Sequence, residues 1–303
     1  MRGNAIKTTL VAGAFSLLLG ATAMAADYPV KAAKAPPPPV VPDFDIAFGG
    51  SIASDYLFRG ITQSNHGPSG SAYFEPRFMK NLFYVGIAAS GIDWPTAYGL
   101  NSPSAEIDLY AGIRPVFGPV TVDLGVIYYW YPNPAVGTFR SDFVEFYAKP
   151  TWTVNDMLTL GANAFYSPSL LNYGAPSWYL SATAKVTLPS SMFPPDWGMY
   201  ISGELGRFWI GTTSNLPFVN ANPPPLGFYD IPDYTTWNIG VGFTFKDFTL
   251  DLRYSGTDLS KFNCAQFWVA PAVIGAAPSP VTNYCDNRFF ARLSFDSLLS
   301  HLK

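Results

Sequence analysis

Histidine and cysteine are nearly absent, with two of each in 303 residues. Nucleophilic hydrolysis on a Ser–His pair needs a base that titrates near neutrality, usually histidine. Only His66 and His301 could serve, and neither sits in a recognisable catalytic pattern. No phosphate-cradling glycine motif or metal-ligand cluster appears, so no cofactor is expected. Charge is also scarce: Asp, Glu, Lys and Arg together make up 13% of the chain, about half the share usual in soluble domains. The 18 basic residues do not outnumber the 21 acidic ones, so there is no basic excess to hold nucleic acid. Beyond the first thirty residues no apolar run approaches the roughly 18–20 residues of a membrane-spanning helix.

What is abundant is aromatic, at 17%. Residues 1–26 combine Arg2 and Lys7, a short apolar stretch and the sequence ATAMAA, the pattern of a cleaved secretory signal. Removing Arg2 and Lys7 leaves 16 basic residues, a mildly acidic mature chain. Residues 27–43 follow as a Pro/Ala-rich lead-in whose four consecutive prolines favour an extended tether. In an exported chain, an even cysteine count without metal-site spacing points to a Cys264–Cys285 disulfide.

From residue 44 to 296, apolar and polar residues alternate in about a dozen segments, the period of half-buried strands. In one, Ile107, Leu109, Ala111 and Ile113 oppose Glu106, Asp108, Tyr110 and Arg114; in another, Phe248, Leu250, Leu252 and Tyr254 oppose Asp251 and Arg253. Connection lengths alternate too. Turns 2–3, 4–5, 6–7 and 10–11 are short, whereas 1–2, 3–4, 5–6, 7–8, 9–10 and 11–12 are longer; only the 8–9 connection, LPSSMFPPDW, breaks the rule. Even strand number, short turns at one end and long loops at the other characterise outer-membrane barrels. Aromatics cluster at both strand ends, Trp130, Tyr131, Trp178 and Trp209 at one and Phe78, Phe83, Trp152 and Trp197 at the other, as two interfacial girdles require. Pro76 and Pro150 interrupt strand patterns, each removing a ladder donor. The expected fold is a single antiparallel transmembrane β-barrel of about 12 strands over 44–296, with a short tail at 297–303.

The opposite face of those strands becomes a lumen. Its candidate charges are Asp55, Arg59, Glu75, Arg77, Glu106 and Asp108 in the first half. Arg114, Glu145 and Lys149 belong there too, and Arg253, Arg288 and Arg292 follow in the second, with Lys185 and Asp251 beside them. Asp55 and Arg59 are placed on strand one near its mouth; barrel closure makes Arg288 and Arg292 plausible neighbours of Asp55. The 9–10 and 11–12 loops are the candidates to fold inward.

The stretch Ser54-Asp55-Tyr56-Leu57-Phe58-Arg59-Gly60-Ile61-Thr62-Gln63 resembles the opening signature of the TorF-type porin family, a proteobacterial group catalogued as conserved hypothetical. That resemblance implies an outer-membrane barrel with unassigned substrate. The ADYPVK start and the prolines after it resemble the processed start of many alphaproteobacterial outer-membrane proteins. One departure is the tail DSLLSHLK beyond Phe295, where such barrels commonly end on an aromatic residue.

Together these readings imply an outer-membrane pore for small solutes or ions in a Gram-negative bacterium. Its partners would be outer-membrane lipid and the barrel-assembly machinery, with no nucleic acid. A closed barrel acting through its loops in binding or adhesion is the alternative. An enzyme is not expected. Oligomeric state leaves no readable signal.

Overall fold

A residue in lipid must have its backbone groups paired within the protein, so a strand can cross only in a closed sheet. The computed structural model shows that closure. It describes residues 15–18, 24–27, 41–94, 103–132, 140–213, 230–268 and 282–302. The signal (1–26) and the lead-in (27–43) fall largely outside these, apart from a separate two-stranded ladder joining Phe15–Leu18 to Met24–Asp27.

Twelve strands form the barrel: β1 (Phe44–Ala53), β2 (Ser69–Phe78), β3 (Phe83–Gly91), β4 (Ala105–Ile113), β5 (Val120–Trp130) and β6 (Phe143–Thr153). They continue as β7 (Leu158–Leu170), β8 (Ala175–Thr187), β9 (Trp197–Ile210), β10 (Tyr234–Phe245), β11 (Phe248–Thr257) and β12 (Arg288–Leu298). Each pairs antiparallel with the next, and β12 pairs with β1. Lengths of 9 to 14 residues suffice to cross a bilayer when tilted.

The side-chain pattern is inverted relative to a soluble protein. Phe74, Ile87, Leu109, Phe146, Leu205 and Ile239 are exposed on the outer face, while Glu75, Asp108, Glu145 and Asp251 are buried inside. Exposed Trp130, Trp178 and Trp209 edge the long-loop end, and Phe78, Phe83, Trp152, Trp197 and Phe248 the short-turn end. Tyr131 is an exception to the expected girdle: it is buried and donates its hydroxyl to Glu106. Pro76 and Pro150 each interrupt one ladder only. β2 and β3 lack pairing at Glu75 and Pro76, and β6 and β7 at Lys149 and Pro150.

Two expectations about boundaries change. The 7–8 connection is only residues 171–174, because β7 and β8 continue upward through Pro168 and Pro176. A register shift after Ser167 accommodates the proline, as bulges do. At the other end β12 runs past Phe295 to Leu298, and Ser300 returns its backbone N–H and hydroxyl to Asp45 at 3.0 and 2.6 Å.

Lumen tyrosines lie flat on glycines of adjacent strands. Gly242 sits opposite Tyr200, and a Cβ there would lie 2.1 Å from the ring. Gly242→Val is therefore expected to destabilise the barrel by about 1–3 kcal/mol through overpacking, measured as an earlier loss of heat-modifiable electrophoretic mobility. An unchanged transition would mean that the ring can swing away without loss.

Candidate functional site

β1 ends at Ala53, and the chain then turns into the barrel rather than continuing upward. Ser54 still holds β12, with its N–H on the Ala291 carbonyl at 2.9 Å. Leu57–Phe58 and Ile61–Thr62 then pair as a miniature hairpin. Its two tip residues, Arg59 and Gly60, have φ of 48° and 84°, as tight two-residue hairpin turns require. Asp55 and Arg59 are thus not on strand one. Among the described residues the inward-folding element is the first long loop; much of the 9–10 and 11–12 loops, the expected candidates, lies outside the described residues.

The tip reaches across the lumen. Arg59 is 2% exposed and makes a fork-to-fork pair with Glu145 on β6 at 2.8 and 2.9 Å, the strongest common geometry for a guanidinium. The Tyr129 hydroxyl reaches the same carboxylate at 3.1 Å. The guanidinium carbon lies 4.4 to 5.0 Å from the ring centres of Phe58, Phe165, Tyr179 and Phe208, within cation–π range. On the far side a Cβ at Gly60 would lie 2.6 Å from Thr236 and Thr257, on β10 and β11. The hairpin tip therefore touches walls on both sides, and only glycine fits at its contact with β10 and β11.

The rest of the stretch anchors the hairpin. Asp55 accepts from Thr62 at 2.5 Å, Ser64 at 3.0 Å and Arg288 at 2.9 Å, so the expected Asp55–Arg288 neighbourhood exists. Arg292 lies elsewhere, opposite Asp251 on β11. Tyr56 donates to Glu106. Gln63 ties the hairpin to the third strand's loop through Asp93 at 2.8 Å and Trp94 at 3.0 Å. Thr62 binds the Tyr284 carbonyl at 3.0 Å, and the adjacent Cys285 is bonded to Cys264. That disulfide fixes helix α1 (Lys261–Trp268) beside the mouth, where Phe267 meets Tyr234. His66 contacts Arg288 and lies tilted against the Tyr284 ring.

The lumen charges separate into layers. Toward the short-turn end, Glu75, Arg77, Arg114, Asp123 and Lys149 form one network. Arg114 grips Glu75 at 2.7 and 3.0 Å and Asp123 at 3.2 Å, with Arg77 on Glu75 at 2.7 Å and Lys149 3.7 Å from Asp123. Nearer the loops stand Glu106, Asp108 and Glu145; Glu145 is paired with Arg59, and the other two have no cationic partner among the described residues. On the opposite wall Arg253 binds Asp251 at 3.0 Å and Asn238 at 2.5 Å. Glu75 and Asp108 are 0% exposed and Glu145 1%. Wall carboxylates in an open aqueous pore would be wet, so the lumen is closed around these three.

Tyr56, Phe58, Gly60 and the aromatic seat escaped sequence reasoning. The available signal was an Arg-Gly pair between Leu-Phe and Ile-Thr, a hairpin pattern, together with Phe165 and Phe208 on otherwise polar faces.

The sequence pattern of a family described as "Bacterial protein of unknown function (Gcw_chp)" matches residues 42–270. No curated protein matches the chain. Similar solved structures include the COG4313 outer membrane channel from Pseudomonas putida F1, at 11% identity and TM-score 0.46, covering 85% of this chain and 96% of that one. A KdgM porin is 9% identical with TM-score 0.43 over 83% and 98% of the two chains. The Pseudomonas putida toluene transporter TodX is 10% identical with TM-score 0.38 over 85% and 88%. At TM-scores under 0.5 they assign no solute to this chain.

Proposed function

The chain belongs to the Gcw_chp family of bacterial proteins of unknown function, and we propose that its barrel is an outer-membrane channel for small solutes or ions, held shut by the Leu57–Thr62 hairpin. The observation that carries this reading is the nature of the stopper. The lumen is crossed by a loop segment whose tip residue Arg59 is held by side-chain contacts to the walls. Such a segment can leave as a unit, because its guanidinium, unlike a wall side chain, can be taken out to water at the mouth. The mixed charges left behind would then line a narrow passage and set ion preference. The resemblance of Ser54–Gln63 to the TorF-type porin signature supports the same reading. So do the secretory pattern of residues 1–26 and the apolar girdle facing outer-membrane lipid.

The tight closure also favours a second reading, a permanently shut barrel that works through its outer loops in binding or adhesion. Planar-bilayer recordings separate the two. The mature protein is expected to be silent or to open briefly, and a variant with residues 57–62 replaced by a Gly-Ser linker to show stable conductance steps. A folded, heat-modifiable linker variant without conductance would overturn the channel and leave the surface protein.

A further inference from the structure

Arg59 occupies its seat as a ligand would. The seat is built by the wall: a buried carboxylate, Glu145, presented edge-on to a planar fork, and three wall aromatics, Phe165, Tyr179 and Phe208, around the guanidinium carbon. Phe58 is the only one of the four rings that belongs to the hairpin and would leave with it. A carboxylate fork combined with aromatic faces selects guanidinium over ammonium, since only the planar cation satisfies both oxygens and stacks.

The charge around this seat is also unbalanced. Besides Glu145, which holds Arg59, the wall carries Glu106 and Asp108 with no cationic partner among the described residues. Glu106 is held by the Tyr56 and Tyr131 hydroxyls. Asp108 lies opposite Tyr129, and neither of its oxygens has a partner among the described residues although it is 0% exposed. When the hairpin withdraws, three carboxylates remain beside an aromatic pocket.

We propose that this seat is a binding site for a guanidinium- or amidinium-bearing organic cation, and that Arg59 is its built-in competitor. The inference deepens the channel reading: a solute of this class entering from the loop side displaces Arg59 and holds the hairpin away while it occupies the lumen. It also stands apart from conduction, because the site exists whether or not the barrel opens through to its other end.

The test uses methylguanidinium as probe, with N-methylurea as its neutral isostere and methylammonium as a cation without the fork. Binding is measured by calorimetry on the full mature chain carrying Arg59→Ala, in detergent. Methylguanidinium is expected to bind at least about tenfold more tightly than either control, a difference of 1.4 kcal/mol. Glu145→Gln in the same background is expected to weaken it by roughly 30-fold or more, as loss of a buried charge partner does, and Asp108→Asn to weaken it less. Equal binding of the three probes, or indifference to Glu145→Gln, overturns the site. If Arg59→Ala does not fold, the wild-type chain decides. Millimolar methylguanidinium, but not N-methylurea, should accelerate amide hydrogen exchange in residues 57–62, and no difference between them overturns the proposal. A variant that binds the probe yet never conducts in bilayers refutes the channel and leaves the site standing.

Discussion

Glu145→Ala should open the channel while leaving the barrel folded. In the closed state Arg59 is fully enclosed, and Glu145 is its only anionic partner within hydrogen-bond reach among the described residues. Removing one member of a buried ion pair typically costs about 3–5 kcal/mol, because the other charge is left uncompensated. The barrel need not bear that cost. Arg59 sits on a hairpin tip, so the stranded guanidinium can regain its hydration by leaving the lumen. The penalty then falls on the closed state alone and shifts the open-to-closed ratio by about 10² to 4 × 10³. A channel that is silent in wild type would be open for much of a recording.

The heat-modifiability transition of Glu145→Ala should stay near that of wild type, since the barrel ladders are untouched. Arg59→Ala should open the channel by removing the other half of the same latch. The double variant should open it no further than either single one, the non-additivity expected of a shared contact. Additive opening would show that the two residues hold the hairpin by separate means.

That latch was only half legible in the sequence. The twelve strands were readable because each has a mostly apolar face and a mostly polar one, so Leu109 against Asp108 or Leu252 against Asp251 leaves no choice of face. The Asp55–Arg288 contact followed from closure, which brings the first and last strands together. The inward turn at Ser54 did not follow. Polar–apolar alternation continues through Asp55 without a break, and a strand projecting beyond the membrane has the same pattern as a loop bent into the lumen. What distinguishes them is tertiary: a carboxylate on β6 and rings on β7, β8 and β9, all distant in sequence from Arg59. The extended β7–β8 pair was missed for the opposite reason. Pro168, Asn172, Gly174 and Pro176 are loop-like in composition, but Pro168 and Pro176 lie within strands that rise to a tight turn. Local propensity yields here to pairing with a neighbour.

Arg114→Ala should have the contrasting effect, a loss of barrel stability without an escape route. Arg114 begins the short turn after β4, and its guanidinium binds both oxygens of Glu75, one of Asp123 at 3.2 Å and Asn81 at 3.2 Å while lying 3.7 Å above the Tyr84 ring. Its carboxylate partners stand on β2 and β5, each held in the wall by a ladder on one side, Glu75 opposite Ala47 and Asp123 opposite Lys149. With Arg114 gone, Glu75 keeps Arg77, and Asp123 keeps Tyr84 and the more distant Lys149. Two carboxylates are then served by weaker partners in a layer sealed from water, and neither can withdraw as Arg59 can. The expected loss is about 1–3 kcal/mol, the cost of leaving buried acceptors short of a donor, read from the urea midpoint of the refolded barrel. Arg114→Lys should recover part of it, since a point charge cannot span Glu75 and Asp123 with the same fork. The wild-type midpoint should change little with added salt, because buried pairs are poorly screened. A loss below about 1 kcal/mol would mean that the layer behaves like an exposed ion-pair surface, and that water already reaches the short-turn end of the lumen. The hairpin would then be the narrowest point of the passage. If the full loss is found, this network forms a second, fixed constriction below the movable one, and solutes passing Arg59 must also pass a layer with three bases to two acids.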